Sequence, residues 1–300
     1  MNLAPIALFV YNRPWHTSQT VKALQKNDLA NESELFIFSD GIKNEMAVKD
    51  VKEVRDYIRT IDGFKNIEII ERDKNLGLAN SVIYGVTQIV NKYGKIIVLE
   101  DDLITSSYFL RYMNESLAIF QERKDIFSIT GYSYPIEFPP EYEYEVFLSY
   151  RCMSWSWGTW DRCWNSVDWD KDMSFIKSKK KHKEFNRGGN DLSRMLISQY
   201  NGEIDSWAIQ WCYNHYIHKA FCLHPKSSLI KNIGFDGSGV HCGIDEQMNT
   251  QLDDVKKINI YPDIQLNKEI ASKIRKYKNI KPLPLRAYNK VMKLVNKRNA

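Results

Sequence analysis

The tightest constraint on this chain's fold is the stretch Lys95-Ile96-Ile97-Val98-Leu99-Glu100-Asp101-Asp102. Four consecutive apolar residues have the length of a strand buried on both faces, as in the middle of a parallel sheet. They run straight into three carboxylates. Open α/β sheets bind ligands at the carboxyl ends of their strands, so this is where three acids can act together. Adjacent negative charges repel unless a cation or hydrogen-bond donors offset them, and a divalent metal that carries a diphosphate would do so. A solvated acidic turn after a core strand would account for the same residues.

The flanking sequence alternates strand and helix through the first 130 residues. Apolar runs at 5–11, 34–38, 67–70 and 126–129 read as strands. Helical spacing follows at 14–26, 48–58, 78–92 and 106–122, with Pro14 suited to a first helical turn. Such alternation predicts parallel strands joined by right-handed crossovers. Neither G-x-G-x-x-G after the first strand nor G-x-x-x-x-G-K-[ST] is present, which argues against a dinucleotide fold and a P-loop NTPase.

In a parallel sheet the segments after the first, second and fourth strands share one rim. Asn12-Arg13, Asp40-Gly41 and Glu100-Asp101-Asp102 therefore converge, and together they suit a nucleotide diphosphate. A blander arrangement has Arg13 pairing only with Asp40.

The second half differs in composition. Residues 131–147 hold Pro135, Pro139 and Pro140 and read as a loop. Five tryptophans, Trp155 to Trp169, then fall within fifteen residues. Indole faces stack on sugars and also fill cores; the group Trp155–Trp160 is expected to form a wall of a sugar-binding cleft. Lys177–Lys183 reads as a solvated basic loop. A helix opens near Trp207 with Asp205 or Ser206 as N-cap, 221–225 reads as a strand, and a glycine-rich loop at 232–243 carries His241.

The resemblance that these residues carry is to GT-A fold, nucleotide-sugar-dependent glycosyltransferases. Within that group the chain is similar to the inverting N-acetylglucosaminyltransferase I type and to bacterial family 2-like enzymes of surface polysaccharide synthesis. It rests on Val10-Tyr11-Asn12-Arg13, Ser39-Asp40-Gly41, Arg72 with Asn75-Leu76-Gly77-Leu78-Ala79, Leu99-Glu100-Asp101-Asp102, Asp205-Ser206-Trp207 and Gly239-Val240-His241. The resemblance implies a mostly parallel, Rossmann-like α/β sheet flanked by helices, with a Trp-rich acceptor-side half. It implies a UDP-sugar donor, a glycan or lipid-linked glycan acceptor, and Mn2+ or Mg2+. Arg13 and Asp40 would contact the UDP portion, with Tyr11, Arg72 and Lys74 as further donor contacts. Glu100 and Asp101 would hold ribose and sugar hydroxyls. Asp102 would be the principal metal ligand, with His241 touching metal or diphosphate. Asp205 would be the general base, with Asp245 and Glu246 as rivals. Two other functions are weighed against this one. A nucleotidyltransferase would want a glycine-rich phosphate loop after the first strand, and a non-catalytic carbohydrate-binding protein would bind glycan without metal or UDP.

Length and charge set the boundaries. The 300 residues fit one large domain or two small ones; the resemblance implies one glycosyltransferase domain over 1–265, with a nucleotide-sugar half (1–130) and an acceptor half (131–265), followed by a basic tail over 266–300. Residues 268–300 hold eleven Lys/Arg and one acid, whereas the remainder holds 31 basic and 36 acidic side chains. Ile270, Ile274, Tyr277 and Ile280 recur at helical spacing among those lysines. The tail is thus expected to lie on an anionic membrane surface at the inner face of the plasma membrane, the alternatives being a helix packed on the domain or a solvated tail. Nucleic acid is a poorer partner, because no binding motif accompanies the charge. No apolar run reaches the roughly 20 residues of a bilayer span, and Met1–Pro5 leads into a strand with no secretory pattern. Five cysteines without a C-x-x-C pair suit a reducing cytoplasm.

Overall fold

The computed structural model describes residues 2–236, 252 and 257–278. His241, Asp245, Glu246 and the tail beyond Lys278 lie outside the described residues. The first part runs β1 (Ile6–Val10), α1 (Pro14–Gln25), β2 (Glu34–Ser39), α2 (Val48–Ile58), β3 (Asn66–Glu71), α3 (Leu78–Tyr93), β4 (Lys95–Glu100), β5 (Leu103–Thr105), α4 (Phe109–Ile119) and β6 (Ile126–Thr130). The second runs β7 (Val146–Ser149), β8 (Trp157–Trp160), α5 (Asp161–Trp164), α6 (Met173–Lys177), α7 (Lys179–Phe185), α8 (Leu192–Tyr200), α9 (Trp207–Ile217), β9 (Phe221–Pro225), β10 (Ile230–Asn232) and α10 (Lys268–Tyr277).

Eight strands form one sheet in the order β3-β2-β1-β4-β8-β6-β9-β7. The first four are parallel, and β8 runs against both β4 and β6. Strands β6 and β9 are parallel, and β7 opposes β9. All but β8 and β7 therefore share one direction, so the expected mostly parallel sheet flanked by helices is what forms. The apolar runs of β1 and β4 are buried along nearly their whole length, as central parallel strands must be. Strand β8 was not foreseen between β4 and β6. Its Gly158 allows this: a Cβ there would press to 3.0 Å from the Ile96 carbonyl and 3.0 Å from the Met113 methyl on α4.

The expected tryptophan cleft is corrected by this position of β8. A central strand covered on both faces has no exposed indoles, and Trp157 and Trp160 are 0% and 2% exposed. Trp157 packs 5.6 Å from Trp164, 5.1 Å from Trp207 and 5.7 Å from Trp211 between ring centroids. The Trp160 indole N–H donates to the Leu117 carbonyl at 3.0 Å. Within Trp155–Trp160 only Trp155, ahead of the strand, stays half-buried. The lysine-rich segment is likewise helical rather than a loop. Asp172 caps α6 by accepting from Ser174 and Phe175 N–H, and Ser178 caps α7 by accepting from Lys181 N–H. Phe175 and Phe185 anchor the two helices in the core. Helix α10 docks on the domain, with Ile270 and Ile274 buried among Tyr132, Tyr134, Phe147 and Met153. Its apolar side is thereby consumed, so this helix is not free to insert into a bilayer. Among the described residues no helix is long and apolar enough to cross a membrane.

Candidate active site

The register of the parallel strands sets the site. Val10 lies beside Ser39, and Phe9 beside Glu100. The chain leaves β1, β2 and β4 on one rim, which brings together Tyr11–Arg13, Asp40-Gly41 and Glu100-Asp101-Asp102, the convergence that the sequence spacing predicts.

Arg13 sits just ahead of α1, held by the helix it precedes: Thr17 N–H and hydroxyl both donate to the Arg13 carbonyl at 2.9 Å. Its Nη1 donates to Asp102 Oδ2 at 2.9 Å and lies 3.6 Å from Asp101 Oδ1. The alternative pairing with Asp40 is therefore wrong. Burial works against the Arg13 charge, but Asp101 and Asp102 outweigh it and raise its pKa. Arg13 Nε and Nη2 are buried and find no hydrogen-bond partner among the described residues. Unmade hydrogen bonds of a buried guanidinium are costly, and anionic ligand oxygens would satisfy them.

One guanidinium does not balance three carboxylates. Burial first, then Asp102 and Asp101, push the Glu100 carboxyl up to about 8. Burial and Asp102 push Asp101 up to about 7, against the pull of Arg13. The turn that carries these acids is rigid: Thr20 Oγ donates to the Asp101 carbonyl at 2.8 Å and accepts from Leu103 N–H at 3.1 Å. A strap follows β10, which pairs antiparallel with β5. Ile233 N–H donates to the Asp102 carbonyl at 2.9 Å, and a Cβ at Gly234 would collide with Asp102 Oδ2 and Arg13 Nη2. Further along the strap, Asp236 Oδ2 meets His16 Nε2 at 3.0 Å. Burial and Arg13 lower the His16 pKa.

Asp40 is engaged by the backbone. Its two oxygens accept three backbone N–H groups at 3.0 Å, from Gly41, Leu76 and Gly77. It thereby locks the turn that opens α3, close to the positive end of that helix. Arg72 donates to Ser81 and lies 5.0 Å over the Tyr84 ring. Tyr11 is half-buried, and its hydroxyl accepts from Lys43 N–H at 3.1 Å. Lys74 is exposed, with its backbone against Gly41. Asp205 is exposed ahead of α9 and makes no hydrogen bond among the described residues; Ser206 occupies the N-cap position, without a side-chain cap.

Sequence reasoning missed several contributors. Arg55 on α2 ties the rim from below, donating to Arg72 O at 2.7 Å and to Ser39 Oγ at 3.2 Å. Ser156 holds a left-handed φ of 47° with its hydroxyl buried and unpartnered among the described residues. Next to it, Trp155 packs 5.5 Å from Phe235 on the strap. Gly234 belonged to the glycine-rich loop, but no local signal marked its closeness to Asp102.

The rim carboxylates offer oxygen donors, the type that suits Mg2+ or Mn2+. Among the described residues no three His, Cys, Asp or Glu side chains gather as a cage. A carboxylate offers about four lone-pair sites, so the Arg13 contact leaves Asp102 capacity for a second cation. The residues thus fit a metal held by one or two carboxylates, with ligand phosphates and water completing its shell.

No protein-family model matches the chain, and no curated protein does. Among solved structures it is similar to TarS 1-349 of S. aureus, with a TM-score of 0.44 and 11% identity, over 78% of this chain and 61% of that one. The same TarS fragment in complex with UDP gives 0.41 and 10%, over 76% and 59%. The mannosyltransferase PcManGT from Pyrobaculum calidifontis, in complex with GDP-Man and Mn2+, gives 0.40 and 7%, over 72% and 68%. The chain thus spans 61% of the length of that first TarS structure. Likenesses this slight do not assign the chain to a family.

Proposed function

We propose that the protein is a metal-dependent, inverting glycosyltransferase of the GT-A kind, which moves a sugar from a UDP-sugar to a hydroxyl of a glycan or lipid-linked glycan. The observation that carries this reading is the rim where Arg13, with two buried N–H-bearing nitrogens unpartnered among the described residues, stands against Asp101 and Asp102 at the carboxyl ends of parallel strands. Those nitrogens suit diphosphate oxygens, and the uncompensated carboxylates suit a divalent cation that travels with the diphosphate. In this reading Asp102 holds the metal, with His241 as a further candidate ligand, and Glu100 and Asp101 accept from donor hydroxyls. In the same reading Tyr11, Arg72 and Lys74 would be further contacts for the donor, and Asp40 would support the donor pocket through the turn that it locks. The metal would supply neutralisation of charge on the departing diphosphate.

In the transfer itself, the acceptor oxygen forms a bond to the anomeric carbon while the bond from that carbon to the phosphate oxygen breaks. UDP leaves with that electron pair. Asp205 is the proposed base that takes the acceptor proton; its exposed carboxylate keeps it available. Trp155, the one partly exposed indole of its group, is the proposed aromatic contact for a sugar ring.

Calorimetry with UDP, with and without Mn2+, tests the assignment. The wild type should bind UDP more tightly with Mn2+, and Asp102→Ala should lose that increment, with UDP release from every UDP-sugar abolished. Equal Mn2+-dependent binding by wild type and variant would refute the role given to Asp102.

A further inference from the structure

The second surface of interest lies away from the acids. Helix α7, the α9–β9 connection and α10 enclose an open groove of about 790 Å³. Five cations line it: Lys180, Lys183, Arg187, Lys219 and Arg275. None of the five forms an ion pair with a carboxylate among the described residues. The one acid in the groove, Glu184, accepts from the Tyr216 hydroxyl at 2.8 Å. This concentration stands out because residues 1–267 carry more acids than bases. Lys219 precedes β9, at the amino end of that strand, whereas the acidic rim lies at the carboxyl ends of β1, β2 and β4.

We propose that this groove is a docking site for an anionic lipid surface, which receives phosphate head groups from a bilayer. Like charges held on three separate elements repel one another, and a fold keeps such a cost more readily where an anion offsets it. The chain beyond Lys278 carries further lysines and arginines, so its charge is wrong for filling the groove. A lipid fits better than a free anion because Ile217, 44% exposed, sits among the cations. An apolar side chain beside lysines and arginines is the pattern of a membrane-interface contact. Helix α10 joins through its outer side alone, where Arg275 and Lys276 are exposed while Ile270 and Ile274 are buried. Attachment would therefore be electrostatic and reversible by salt.

Co-sedimentation of the full chain with vesicles tests this. Vesicles of phosphatidylcholine are compared with vesicles that also contain phosphatidylglycerol, at about 0.1 M salt. The charge reversal Lys183→Glu with Arg275→Glu should weaken binding to the anionic vesicles by about tenfold or more. The equal reversal Lys65→Glu with Lys124→Glu, on exposed lysines elsewhere, should change it less than about twofold, and Lys183→Gln with Arg275→Gln should fall between. Circular dichroism checks that each variant folds. Equal losses from both reversals would reduce the effect to net charge and overturn the site. So would equal binding to neutral vesicles. If inorganic phosphate titrated by calorimetry binds with one-to-one stoichiometry, and the groove reversal removes that binding but spares vesicle binding, the occupant is a soluble anion and the lipid assignment fails. None of these readouts depends on sugar transfer, so the groove and the proposed transferase activity stand or fall separately.

Discussion

At the scale of the residue, the partner each charge takes defines the site: Arg13 lies against Asp101 and Asp102, and Asp40 against backbone N–H groups. The acids after β4 and the arginine after β1 were legible because residue type and strand order suffice to place them on one rim. Arg13's choice of Asp101 and Asp102 over Asp40 was not legible, because Asp40 is claimed by the N–H groups of Leu76 and Gly77, more than thirty residues away in sequence. Tryptophan misled for a related reason. An indole suits both a core and a sugar, and only the neighbouring strands decide which. The two roles separate by stability. Trp157→Ala should cost about 3–5 kcal/mol, as for a large aromatic removed from a core, while half-buried Trp155→Ala should cost roughly 1 kcal/mol. Urea denaturation of both variants measures this, and equal costs would return Trp155 to the core.

The elements themselves were mostly visible from periodicity, and helices α1, α2 and α3 begin where the apolar spacing places them. What periodicity lacks is the destination of an apolar face. The spacing of Ile270 and Ile274 is the same for a helix on a bilayer and for one on a protein, and the Tyr132–Tyr134–Phe147 cluster on the domain takes this one. The turn opening α3 shows how one element depends on another. A Cβ at Gly41 would collide with the backbone of Lys74 and Asn75, so an added methyl must displace the turn that Asp40 holds. Gly41→Ala should destabilise the fold by about 2 kcal/mol and weaken UDP binding at least about tenfold. Thermal melts and calorimetry read the two effects. Unchanged UDP affinity in a destabilised protein would separate the turn from the donor site.

For the whole molecule, two sets of buried groups oppose each other as pH changes. Burial lowers His215 and His224 to about 4 from an ordinary 6.5; their contribution is present above 6.5 and lost as pH falls through 4. Glu100 and Asp101 are raised to about 8 and about 7; theirs is present below the ordinary carboxyl range and lost as pH rises through those values. Between about pH 4.5 and 6.5 the two slopes offset. Above that only the carboxyls titrate, so stability of the metal-free protein should fall by on the order of 2 kcal/mol by pH 8, and Glu100→Gln should flatten that limb. Denaturation at pH 6 and pH 8 checks it; a level profile would mean that the acids ionise freely. The insertion of β8 was the least legible feature of all, since pairing between segments sixty residues apart leaves no local mark. It also has a mechanical meaning. A strand from the later half of the chain is laced between β4 and β6 of the earlier half, so the halves cannot swing apart like the jaws of a clamp without unzipping two backbone ladders. Access to the acidic rim therefore comes from its edges and not from a parting of the two halves.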